Sequence, residues 1–281
     1  MERLLVHLHI FYHDQVDYFI HKLENINDIE WDLVVTFTNR QEETIRKLQL
    51  LKPDVKFLEL ENYGYDIWPF IRVIKDIDLS KYSYVMKLHT KGPVSWCRPN
   101  IISLRDNEWR DALTDGLLYS PDFFKENLEL LRKKPKIGMI YTLLSRVNRD
   151  YYDNEVIAEL NRLGFEKKDK YTCMGTMFII RSCVLLPLKS NLITEEMFRD
   201  AKPKSGSFLH NPHLYERIFS HLPVNQGYHQ AMRCPHRKDL VRIKIGKFLE
   251  PIGKFIFFCE REGYAHKKFV RVMGVKWYKE K

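Results

Sequence analysis

Apolar residues along the chain follow two rhythms. Short runs at Leu4–Phe11, Trp31–Phe37, Val55–Leu60 and Tyr82–Leu88 each stop abruptly at a polar stretch. Between them, Val16–Asn25, Glu42–Leu51 and Ile67–Ile77 carry apolar residues at helical spacing, as in Ile67, Phe70, Ile71, Ile74 and Ile77. The first rhythm predicts strands and the second amphipathic helices, with Pro53 closing the second helix. Strand and helix alternate over roughly the first ninety residues, which predicts right-handed βαβ units in a doubly wound α/β sheet. After Gly92 the rhythm breaks. Trp96–Asn100 reads as a loop, Glu108–Tyr119 and Asp122–Lys133 as helices, and Ile137–Tyr141 and Met177–Arg181 as strands. Residues 142–172 are polar and helical in places, Phe198–Asn211 is loop-like, and Pro212 opens a further helix.

This pattern places polar loops together. Loops that follow parallel strands emerge on one edge of the sheet, where open α/β proteins bind ligands. The loops in question are His9 to His13, Thr38-Asn39, Glu61 to Asp66 and His89 to Lys91. Their chemistry suits a phosphate-bearing ligand. Lys91 supplies a cation, Gly64 and Gly92 allow close backbone approach, and Asn39, Asn62 and Asp66 can hydrogen-bond a base or sugar. His7 and His9 alternate on the first strand; they are either a metal-ligand pair or, as preferred, one packed ring and one near the functional end. Trp68 and Phe70 read as core, whereas Trp96 and Trp109 sit among polar residues and are candidates for stacking on a sugar. The chain has no GxGxxG, Walker A or GxSxG motif, which argues against dinucleotide binding, P-loop hydrolysis and a serine hydrolase. The one literal Asp-x-Asp, Asp76-Ile77-Asp78, precedes a strand and reads as a solvated helix end.

Composition changes the picture in two places. With 281 residues, 44% hydrophobic and 30% charged, the chain is ordinary globular material. Five scattered cysteines without a CxxC pair point away from a disulfide framework or a zinc site and toward a reducing compartment. The N-terminus enters a strand-like run too short for a signal peptide, and no apolar stretch nears the ~20 residues of a membrane span, so the expected location is the cytoplasm. The net charge of +9 is concentrated at the end: His236 to Lys281 holds 13 lysines and arginines against 5 acids. That organisation predicts a domain over 1–235 and a basic amphipathic helical tail over 236–281. In the tail, Leu249, Ile252 and Phe255–Phe258 interleave with Lys247, Lys254 and Arg261. Such a segment either lies on an anionic membrane surface or covers the domain with its apolar face. No nucleic-acid module surrounds these charges.

Several blocks resemble the rhamnan synthesis F family of bacterial cell-surface polysaccharide synthesis, whose members are regarded as glycosyltransferases. They are LVHLHIFY at Leu5–Tyr12, ENYGYDIWPFI at Glu61–Ile71, YVMKLHTKG at Tyr84–Gly92, GTMFIIR at Gly175–Arg181 and YERIF at Tyr215–Phe219. Tyr65 departs from the arginine expected before the aspartate. The resemblance implies a GT-A-like, Rossmann-type, mostly parallel sheet flanked by helices. It implies a nucleotide-sugar donor, dTDP- or UDP-linked, with rhamnose as first guess, and a lipid-linked saccharide acceptor at the inner face of the cell membrane. The implied donor site is His9, Asn39, Asn62, Gly64, Asp66, His89, Thr90 and Lys91. The implied acceptor site is Trp109, Gly175, Thr176, His210 and His213. Glu216 resembles the general base of inverting GT-A enzymes, with Asp66 as the alternative base. Such enzymes commonly hold a metal at an Asp-x-Asp after the fourth strand, but here that strand ends in His89-Thr90-Lys91. No metal is therefore expected, Lys91, alone or with His89, neutralising the diphosphate instead; magnesium or manganese on His89 and Asp66 is the weaker alternative. A non-catalytic carbohydrate- or partner-binding protein on a degenerate transferase scaffold is the rival reading, and a membrane-surface scaffold acting through its tail is a second.

Overall fold

A computed structural model of the chain describes residues 2–98, 101–147, 153–166, 171–199, 211–236, 240–241, 245, 257–261, 268–273 and 275–279. The chain divides into two compact units, residues 1–92 with 110–235, and residues 93–109 with 236–281.

The first unit begins β1 (Arg3–Ile10), α1 (Val16–Leu23), β2 (Glu30–Phe37), α2 (Glu42–Leu51), β3 (Lys56–Glu59), α3 (Ile67–Asp76) and β4 (Tyr84–His89), the predicted alternation. β1 pairs in parallel with β2 and β4, and β2 with β3. In the second unit, β5 (Val94–Arg98) and β6 (Ile101–Asp106) form an antiparallel hairpin where the sequence reading had a loop. Val94, Trp96, Ile101, Ile102 and Leu104 favour strand, and Pro99-Asn100 between the two runs is a turn signal.

The chain then supplies α4 (Glu108–Leu118), α5 (Pro121–Lys133), β7 (Ile137–Thr142), β8 (Arg146–Val147), α6 (Asp153–Arg162), β9 (Thr172–Cys173), β10 (Phe178–Arg181), α7 (Glu196–Arg199), α8 (Asn211–Asn225) and β11 (His229–Arg233). α5 starts where its sequence dictates: Ser120 accepts the Phe123 amide at 3.2 Å, and Pro121 occupies the first turn. The main sheet has seven strands in the order β11-β7-β10-β4-β1-β2-β3, and its one antiparallel member is β10.

The core lies between this sheet and α3, α6 and α8. α3 contributes Ile67, Trp68, Phe70, Ile71, Val73 and Ile74, all buried, as their spacing predicts. Trp68 stacks on Phe198, 5.2 Å between ring centroids, and is a core residue as read from sequence. Asp76 pairs with Arg72 and Asp78 caps the turn at Ser80, so the Asp-x-Asp is a helix end.

The tail departs from a single helix. Leu240, Val241 and Ile245 are helical, but β12 (Phe257–Arg261), β13 (Lys268–Val272) and β14 (Val275–Lys279) form a three-stranded antiparallel sheet. β13 and β14 pair outward from Val272 and Val275, and Met273, which follows β13, is left-handed at φ 48°, as a tight hairpin turn requires.

Candidate functional site

A cleft of about 460 Å³ opens at the carboxyl ends of β1 and β4. β10 runs the other way, so the turn that precedes it, Gly175-Thr176, reaches the same edge. The loop before α3 (Asn62, Tyr65, Asp66) and the start of α8 (Pro212, His213, Glu216) form the walls. His9, His89, Thr90, Lys91 and Gly92 complete the polar floor, and Phe11 and Tyr12 flank it.

Strand register explains the floor. His7 lies opposite Lys87, and His9 opposite His89 on one side and Thr36 on the other. Alternation sends all five side chains to one face of the sheet. The Thr36 hydroxyl is 2.9 Å from His7 Nε2 and 2.9 Å from His9 Nδ1. Burial holds His9 near pKa 3 and pushes His7 well below the usual range, so both rings are neutral.

Asp66 occupies the N-cap position of α3, yet its carboxylate does not cap the helix. The Gly64 carbonyl accepts the first amides instead, from Ile67 at 3.1 Å and Trp68 at 3.2 Å. Asp66 Oδ2 turns to the ammonium of Lys87 and to the Thr176 hydroxyl at 2.7 Å. Oδ1 has no hydrogen-bond partner among the described residues, and the carboxylate is 17% exposed in the cleft. Burial works against this charge, but His89, Lys87 and Lys91 outweigh it and hold Asp66 well below the ordinary carboxylate range.

His89 donates from Nε2 to the Gly175 carbonyl at 2.8 Å; its Nδ1 lies 3.0 Å from the adjacent Thr90 carbonyl. Burial takes the ring down to about pKa 4 against the pull of Asp66. A ring neutral at neutral pH cannot also be the cation that keeps Asp66 ionised, so Lys87, in direct contact, does that.

Glu216 accepts the Gly175 amide on Oε1 at 2.7 Å, and Oε2 has no partner among the described residues. The adjoining Tyr215 fixes the register of α8: it is buried, donates to Glu159 and packs edge-on against Phe198 at 5.2 Å.

The structure thus gathers Asp66, Asn62, His9, His89, Thr90, Lys91, Gly175, Thr176, His213 and Glu216 around one cleft. Other expected residues fall elsewhere. Asn39 is exposed beyond β2 and does not line the cleft. His13, packed against Phe37 and 2.9 Å from Thr44 Oγ1, takes up the end of that strand. Gly64 serves packing, not a ligand: at φ 72°, a Cβ there would stand 2.5 Å from Trp68 Cβ. Trp109 is 2% exposed, so no sugar can stack on it. His210, all of 200–210 and the Trp96 side chain lie outside the described residues. Gly175 and Thr176, expected on the acceptor side, chiefly bind other site residues. The Thr90 hydroxyl accepts the Phe11 and Tyr12 amides at 2.9 and 3.0 Å, fixing that loop.

Two features escaped the sequence reading. One is Lys87, hidden inside an apolar-looking strand; its signal was the period-two series Lys87, His89, Lys91 beside His7 and His9. The other is an aromatic rim of Phe11, Tyr12 and Tyr65, exposed at the cleft mouth, with Tyr65 5.7 Å from the His213 ring.

The chain matches the model of a family described as rhamnan synthesis protein F over residues 1–228. None of the curated proteins compared with it matches in sequence. Among solved structures it is similar to residues 1–349 of TarS from S. aureus, at 10% identity, 89% of this chain, 65% of that chain and TM-score 0.41. It is similar to a mannosyltransferase from Pyrobaculum calidifontis in complex with GDP-Man and Mn2+, at 12% identity, 89% of this chain, 67% of that chain and TM-score 0.42. A third is glucosyl-3-phosphoglycerate synthase from Mycobacterium tuberculosis, at 10% identity, 92% of this chain, 84% of that chain and TM-score 0.39. The chain spans about 65% of the length of the TarS fragment.

Proposed function

The chain belongs to the rhamnan synthesis protein F family, and from that premise we propose that it is a glycosyltransferase of bacterial polysaccharide synthesis. It moves a sugar from a nucleotide diphosphate donor, rhamnose being the first to try, onto a lipid-linked saccharide. The observation that carries this reading is one cleft at the strand ends holding the Lys91 ammonium, the Asp66 carboxylate and a half-free Glu216 carboxylate.

In this mechanism Glu216 Oε2 takes the proton of the acceptor hydroxyl, while the Gly175 amide holds Oε1. The acceptor oxygen bonds to the anomeric carbon, the bond from that carbon to the diphosphate oxygen breaks, and configuration inverts. Lys91 stabilises the charge on the departing diphosphate. Asp66 Oδ1 accepts a hydroxyl of the donor. Asp66 is a poor base, because its pKa is held low.

The residues present do not suit a divalent cation. Asp66 Oδ2 is committed to Lys87 and Thr176, and His89 Nε2 to a carbonyl. Among the described residues no group of three or more His, Cys, Asp or Glu could hold a metal ion. No helix among them is long and apolar enough to cross a membrane. The cationic tail is the means by which the protein meets the anionic inner leaflet where a lipid-linked acceptor resides.

Thermal-shift screening against dTDP-, UDP- and GDP-sugars, with and without manganese, followed by assay of nucleoside diphosphate release, tests the reading. One donor raises Tm and is slowly hydrolysed without metal. Glu216→Gln keeps the shift and lowers turnover about 10²–10⁴-fold; Lys91→Ala loses the shift. Donor binding with no nucleoside diphosphate release assigns the cleft to a carbohydrate-binding protein instead. Turnover abolished by a chelator overturns the metal-free account.

A further inference from the structure

Lys87 is fully buried in the middle of β4, with its ammonium 5.7 Å from the centre of the Phe70 ring. It donates to Asp66 Oδ2, to Thr176 Oγ1 at 2.9 Å and to the Thr176 carbonyl at 3.2 Å. An ammonium has three protons, and all are used. Taking an ion pair out of water is expensive, and apolar residues of similar size often serve stability as well. The pair therefore invites an account in terms of what it holds.

It holds the turn before β10. Gly175 and Thr176 have φ 82° and 46°, and for a β-branched threonine the second is strained. The turn passes the constraint on: the Gly175 amide binds Glu216 at 2.7 Å, and the Gly175 carbonyl receives His89 at 2.8 Å. β4, the start of α3 and α8 thus meet at two residues.

We propose that Lys87 is a positioning residue: its ammonium locks the Asp66 carboxylate and the Gly175-Thr176 turn into one unit, and the turn aims Glu216 at the acceptor. The link to Glu216 rests on the reading of that residue as the base. The other titratable groups around the pair are His7 and His9 of β1, His89 and Lys91, Glu216, and the buried Cys173 thiol.

The test uses the full chain with Lys87→Met and with Lys87→Met/Asp66→Asn, the double variant removing both buried charges should the single one fold poorly. Amide hydrogen exchange in peptides spanning Gly175 and Thr176 rises tenfold or more in either variant. In Lys87→Met the Asp66 carboxyl stays buried without its cation, so its folded pKa moves above its unfolded value. The Tm deficit against the parent protein then widens as pH rises from about 4 to 8, and the double variant shows no such slope. Removing the constraint costs Glu216 its Gly175 hydrogen bond. In Lys87→Met kcat therefore falls at least tenfold, more than KM for the acceptor changes, while both stay at the parent values in Leu48→Ala, a buried change in α2 away from the cleft. Unchanged exchange, or a flat Tm deficit, overturns the locked unit. Raised exchange with an unchanged kcat overturns the link to catalysis. A parent protein inert to every nucleotide sugar overturns the functional reading, while exchange and the Tm slope still decide the unit.

Discussion

At the scale of single residues, the loop before α3 shows how a site is built at some expense to local structure. Gly64 and Tyr65 are both left-handed, at φ 72° and 53°, and Asp66 gives up its helix-capping role to face Lys87. The tight approach of Gly64 to Trp68 makes this geometry sensitive to one methyl group. In Gly64→Ala the left-handed φ costs about 1–2 kcal/mol. A 2.5 Å contact with Trp68 Cβ adds to it, because Trp68 is buried against Phe198 and cannot yield. A total near 3 kcal/mol lowers Tm by roughly 6–12 °C, and an unchanged thermal unfolding curve would contradict this role for Gly64. Legibility follows the same line. Asp66, His89 and Lys91 could be read because each is a polar residue where a periodic segment stops, whereas Glu216, inside α8, was reached only through the family resemblance. Lys87 could not, because a lysine flanked by Met86 and Leu88 reads as strand until the register shows His7 beside it. Trp109 misled because polar neighbours in sequence do not say which way a helix turns its ring.

At the scale of elements, β1 to β4 and their helices were legible because hydrophobic period alone separates strand from helix there. β5 with β6, and β12 to β14, were not: their strands are short, mix charges with aromatics, and declare themselves through turns. The strands that were legible carry a pH dependence that follows from their pairing. β1 and β4 bury His7, His9 and His89 neutral, with His9 near pKa 3 and His89 near pKa 4. Unfolded histidines titrate near 6.5, so between about pH 6.5 and 4 the unfolded chain binds more protons than the folded one. Stability is therefore full above about pH 6.5 and falls as pH drops through that window. His89 alone contributes on the order of 3 kcal/mol of the loss. Urea unfolding at successive pH values measures it; a midpoint that holds steady from about pH 7 to 4.5 would mean these rings are charged in the fold. His9→Gln, which cannot titrate, shallows the slope.

At the scale of the whole molecule, charge is segregated along the chain. The surplus lies in residues 236–281, 13 basic side chains against 5 acidic ones, and the rest is nearly neutral. The residues lining the cleft run from His9 to Glu216 and include none of this excess. Its use has to be sought in a partner, and an anionic lipid surface is the partner that rewards dispersed cations without demanding a shaped pocket. Each lysine or arginine near such a surface contributes about 1 kcal/mol, screened over a Debye length. The intact chain should then co-sediment with phosphatidylglycerol-containing vesicles at low salt, and leave them as salt rises through about 0.15 M. It should ignore pure phosphatidylcholine vesicles. Lys276→Glu with Lys279→Glu, reversing two charges, weakens vesicle binding at least tenfold and leaves donor-induced Tm shifts where they were. Equal binding to both kinds of vesicle would instead make the tail's contact apolar, and its charge incidental to where the enzyme works.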